Sequence, residues 1–144
     1  MSDWWWKMAS AVFDTRELDA YARELERTAR DAPKTQKKFM RQEGSKLLRR
    51  TKSEAKRVKV KTGNYKKSIK RGKVYEYDGA QAIRVYSTAP HAHLIEDGHR
   101  MVTHDGREVG FVPGMHVFEV AGKGFEPEYL ADIDDMLDEA VKEL

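Results

Sequence analysis

Cysteine is absent from all 144 residues, which excludes a disulfide framework, a thiolate zinc site and a cysteine nucleophile. Long apolar runs are missing too. No stretch approaches the ~20 residues needed to cross a bilayer, so no membrane partner is expected. A glycine-rich phosphate loop is also lacking, because Gly122-Lys123-Gly124 has neither the preceding strand nor the remaining glycines. No serine stands in a nucleophile-elbow context. Acidic residues are scarce in one region only. Residues 34–73 carry seventeen Lys and Arg against Glu43 and Glu54, a local net of +15 in a chain whose total is +3. The remainder is therefore at −12, and residues 125–144 hold eight acids against Lys142 alone. A chain so polarised pairs its ends internally, stacks head to tail on copies of itself, or turns its basic segment towards a polyanion.

What is present suits a folded chain. Hydrophobic residues make up 40% and aromatics 10%, too many for a disordered segment, while 35% charged residues indicate solubility. The length fits one domain with a modest core. We expect an arm at residues 1–12 and one α+β domain at residues 13–144. In the arm, Asp3 stands where a signal peptide needs basic charge, so secretion is not expected. Trp4, Trp5 and Trp6 are costly to leave in water, and either pack on their own chain or anchor on a neighbouring subunit.

Asp14 and Glu17 form a capping-box pattern, followed by Leu18, Tyr21, Ala22, Leu25, Ala29 and Ala32 at helical spacing. A second helical pattern, with Met40, Gly44, Leu47, Leu48, Thr51, Ala55 and Val58 on one side, covers residues 34–58. Pro33 between them is compatible with one bent helix or with a helical hairpin. Residues 68–77 and 81–87 alternate as strands around the turn Asp78-Gly79. Ile83 and Val85 should face the core, Arg84 and Tyr86 the solvent. A short helix at residues 90–97 should stop at Gly98, and strands at 101–104 and 107–112 should flank Asp105-Gly106. Pro127 should open a terminal helix whose Asp132, Asp134, Asp135, Asp138 and Glu139 form a solvated face. The resulting class is α+β: N-terminal helices, a small antiparallel sheet with hairpins, a short central helix and a C-terminal helix.

Four of the five histidines lie in residues 91–107, HAHLIEDGHRMVTHDGR, and His116 follows. A metal centre needs three or four ligands converging at about 2 Å. On a helix His91 and His93 point roughly 200° apart, and His93 aligns with Glu96 and Asp97 as an ordinary i, i+3/i+4 pair. No His-Glu-x-x-His stretch occurs. We expect no metal, no cofactor and no catalytic residue; a metal-dependent hydrolase recruiting Asp97 and Asp105 is the weakest alternative. The basic segment offers another. Lys46, Arg49, Arg50, Lys52, Lys56, Arg57, Lys59 and Lys61 form a cationic surface able to hold nucleic acid by its phosphates, without reading sequence.

Three blocks in a fixed order carry a resemblance: KTGNYKKSI at 61–69, APHAHLIEDGHR at 89–100 and GFVPGMHVF at 110–118. Together they resemble the tail-completion (neck, or head–tail joining) family of tailed bacteriophages. Tyr65 stands where that pattern usually has leucine and keeps an apolar anchor; Asp97 stands where an aromatic or apolar residue is common. The resemblance implies a virion protein without catalysis, assembled in the host cytoplasm as a homo-oligomeric ring, a hexamer, at the head-proximal end of the tail. Implied partners are the tail-terminator and connector or stopper proteins, with tape measure protein or genomic DNA in the lumen. Subunit or partner contacts are then expected at Trp4, Trp5, Trp6, His91, His93, Glu96, His99, Arg100 and His116.

Overall fold

The computed structural model describes residues 15–58 and 63–142. The tryptophan arm, Asp14 of the expected capping box, Lys59 and Lys61 lie outside the described residues. Helix α1 spans Arg16–Glu54 without interruption. Its sequence is rich in Glu, Arg, Lys, Ala and Leu and has no glycine before Gly44, so propensity favours one helix. Pro33 lies inside it, forfeiting the bond its missing N–H would make to Ala29. One long helix, not a hairpin, is therefore the outcome of the choice that Pro33 left open.

A 3-10 turn, Ala55–Arg57, ends this rod, and α2, Asn64–Ser68, follows Gly63. The expected long hairpin consists of four short strands: β1 Ile69–Arg71, β2 Tyr75–Tyr77, β3 Ala80–Ala82 and β4 Val85–Ser87. β2 pairs with β3 across Asp78-Gly79, whose φ values of 51° and 76° are those a tight primed turn requires. β1 pairs with β4. Between the two ladders residues 72–74 oppose residues 83–84, and this unequal count breaks the pairing as a bulge does. The Gly72 N–H donating to the Arg84 carbonyl at 2.8 Å spans the break. Arg84 and Tyr86 are exposed and Ile83 and Val85 half-buried, as alternation requires.

Helix α3, Ala92–Asp97, leads directly into β5, Gly98–Val102, which pairs with β6, Glu108–Pro113. The strand thus starts at Gly98, three residues earlier than its pattern suggested. Helix α4 runs Val117–Lys142, so Pro127 does not open it but lies within it. The reason is packing. Val117, Ala121 and Phe125, four positions apart, are buried, and their burial outweighs the weak propensity of Gly122 and Gly124.

The core joins Ala55, Tyr65, Ile69 and Val117, with Leu48, Val85, Ile95 and Met115 packed against them. α4 lies antiparallel to α1: Arg50 is opposite Glu128, Lys46 opposite Asp132, and Thr35 near Glu139. Tyr129 stacks obliquely between Phe39 and Phe125, with ring centroids at 6.2 and 6.1 Å. No α1 residue before Glu43 is buried.

Gly98 has φ +87°, and a Cβ there would fall 2.4 Å from the Val112 carbonyl oxygen. Gly98→Ala should therefore lower unfolding free energy by about 3 kcal/mol, combining backbone strain with a displaced strand. Gly106→Ala is the internal control: its φ is +86° but a Cβ there meets nothing within 4 Å. It should cost only about 1 kcal/mol in the same urea titration.

Candidate assembly surfaces

The histidine-rich stretch resolves into a structural joint. α3 has six residues, too few to stand alone, and its last carbonyls need donors. The Met115 N–H donates to the Ile95 carbonyl at 2.7 Å and the His116 N–H to the Glu96 carbonyl at 3.2 Å. In return the Glu96 carboxylate accepts from the Phe118 and Glu119 N–H groups, both at 3.1 Å, capping the start of α4. Backbones approach so closely that a Cβ on Gly114 would sit 2.2 Å from the Glu96 carbonyl oxygen. Glu96, expected at a subunit contact, thus has both carboxylate oxygens engaged within its own chain.

The other stretch residues are dispersed. His91 precedes α3 as its N-cap and His93 is exposed on it. His99 and Arg100 are exposed on β5, with Arg100 loosely paired to Glu108 at 3.9 Å. His116 has φ 49°, its carbonyl accepts from the Val120 N–H, and its Nδ1 lies 3.3 Å from Glu119. Among the described residues no three His, Asp or Glu side chains are placed to hold one metal ion.

The basic helix has two faces of different character. Lys46 and Arg50 turn towards α4. Lys46 Nζ donates to Asp132 at 2.6 Å and lies 3.5 Å from Glu43 and 3.8 Å from Glu128; Arg50 is 3.9 Å from Glu128. Asp132, expected on a solvated face, is instead the partner that locks α4 to α1. Its carboxyl is held below the usual range by the Lys46 hydrogen bond. Sequence reasoning passed over Glu43, although it is one of only two acids among residues 34–73. Its side chain is buried, and burial first, then the neighbouring Asp132, pushes its pKa up to about 7. Arg49, Lys52 and Lys56, three and four positions apart, share another face with no acidic partner among the described residues. Arg57 is tied to Glu54 at 2.9 Å and donates to the Met115 carbonyl at 3.1 Å.

The β5–β6 hairpin pairs with no other described strand. Val102, Val109 and Phe111 on it are each more than half exposed. A lone two-stranded hairpin is marginally stable in water, and its open edges are a template for further pairing. No described helix is long and apolar enough to cross a membrane.

The sequence model of a family described as "Bacteriophage HK97-gp10, putative tail-component" matches residues 18–98. The match contains the first motif block and all of the second but His99 and Arg100, and ends at the start of β5, before the third. No curated protein and no solved structure matches the chain.

Glu43 gives the α1–α4 contact a definite pH dependence. Its folded pKa lies above the ordinary 4.5, so the native state holds a proton that the unfolded chain releases. This contribution is complete below pH 4.5 and is lost as pH rises to about 7. Glu43→Gln should remove that slope. The check is the difference in urea stability between wild type and variant across the window, which should shrink towards acid pH and widen towards neutrality.

Proposed function

The chain belongs to the HK97-gp10-like family of phage tail components, and from that premise we propose that it is a structural protein of the phage neck. It acts without catalysis, as a homo-oligomeric ring, a hexamer, at the head-proximal end of the tail. Its axial partners are the tail-terminator and connector or stopper proteins, and the lumen accommodates tape measure protein or DNA. The observation that carries this reading is the β5–β6 hairpin. It offers exposed Val102, Val109 and Phe111 beside the Arg100–Glu108 pair, and two edges unpaired among the described residues, on a stem fixed by the α3–α4 joint. Such a surface is suited to burial in an assembly. A double variant, Val109→Asp with Phe111→Asp, should leave stability within about 1 kcal/mol, because both side chains are solvent-exposed. It should nevertheless fail to complement a phage lacking this gene, and unjoined heads and tails should accumulate. Normal particles from the double variant, or absence of the chain from purified virions, would contradict the proposal.

A second reading rests on a basic face without an acidic partner among the described residues: Arg49 and Lys52 of α1 and Lys56 of the turn after it meet a polyanion, genomic DNA in the lumen. About three phosphate contacts predict that duplex affinity falls on the order of fortyfold between 50 and 200 mM salt. Reversing the three charges should abolish that binding; salt-insensitive binding, or binding unchanged by the reversal, would reject this reading.

A further inference from the structure

The two ends of α1 carry complementary surfaces. Near its start Leu18, Tyr21 and Leu25 fall at i, i+3 and i+7, and they are 65%, 48% and 41% exposed. Helical geometry sets Glu17 and Glu24 along one border of this stripe and Asp19 and Glu26 along the other. Just beyond the other end of the rod lies a cleft of ≈ 630 Å³. Its floor is apolar: Leu94, Ile95, Val112 and Met115. Its rim carries Arg57, His91 and His99, and no acidic side chain among the described residues lines it. Arg57 is steadied there by Glu54 and by the Met115 carbonyl.

We propose that the first turns of α1 in one copy lie in this cleft of the next copy. The proposal rests on the ring reading above and supplies its lateral contact. Three apolar anchors at this spacing are what a helix-in-groove interface uses, and acidic borders against a rim that carries Arg57 fix its orientation. The occupant comes from another copy because the stripe cannot reach the cleft of its own chain. Leu25 stands near the start of the rod and Arg57 in the turn that ends it, separated by roughly 48 Å at 1.5 Å per residue. The contact joins two different patches, so it is heterologous, and copies added by it close into a ring or extend as a filament.

The test uses two variants of the full chain, each changed only at exposed positions: Leu18→Glu with Leu25→Glu on the stripe, and His91→Glu with His99→Glu on the cleft. Light scattering after size exclusion should show an oligomer for wild type. Each variant alone should be monomeric, weakened by about thirtyfold or more as expected for losing hot-spot anchors. Mixed together they should form a one-to-one dimer and stop there, since each retains one intact surface. The chain lacks cysteine, so a Tyr21→Cys, His99→Cys chain gives a clean second readout: oxidation should yield intermolecular ladders that collapse on reduction. Wild-type rings from either variant, or a mixture that stays monomeric, would overturn this contact and leave the neck ring standing. A wild-type chain that is monomeric both purified and in particles would overturn both.

Discussion

The arrangement depends on one reciprocal exchange of hydrogen bonds. α3 gives its terminal carbonyls to the amides of Met115 and His116, and its Glu96 side chain takes the amides of Phe118 and Glu119. Each helix satisfies the orphan groups of the other, which neither can do within so short a connection. The same contact brings Ile95 against the core cluster that holds Val117 and Tyr65; burial and the Glu96 charge push the Tyr65 hydroxyl up to about 12. Gly98 and Gly114 are required because the two backbones touch. The hairpin begins at Gly98 and ends at Pro113, so the joint also sets where the exposed apolar face and the cleft stand.

Charge polarity along the chain has two uses. Part of it is cancelled internally: the acidic helix α4 returns along α1, and Asp132 and Glu128 meet Lys46 and Arg50. Part has no acidic partner among the described residues, on the Arg49–Lys52–Lys56 face. Internal pairing and head-to-tail stacking, distinct alternatives on the sequence alone, are thus compatible in one molecule. Glu43 lies within the internal contact, as a buried carboxyl whose pKa is raised beside Lys46 and Asp132.

Much of the fold was legible because local signals agreed with the final packing. Asp78-Gly79 and Asp105-Gly106 announced their turns, and the apolar spacings of residues 18–32 and 34–58 announced helix. The errors have physical causes. Pro127 read as a boundary and Pro33 left one helix or two open, yet each sits inside a helix whose tertiary contacts or length outweigh one lost bond. Gly122 and Gly124 hid the first turns of α4, which burial of Val117, Ala121 and Phe125 holds in place. Glu96 stood out in the sequence, but its role as a cap depends on residues more than twenty positions away, which no local spacing encodes. Asp132 and Glu43 were obscured for the same reason: their partners become neighbours only when α4 folds back.

A reconstruction of the neck of intact particles tests the account most directly. It predicts a ring of this chain at the head-proximal end of the tail, with Leu18, Tyr21 and Leu25 of each copy seated over Leu94 and Ile95 of the next and the β5–β6 hairpins buried against an axial partner. Density showing the chain elsewhere in the particle, or a ring in which the α1 stripes and the hairpin faces stay in solvent, would contradict it.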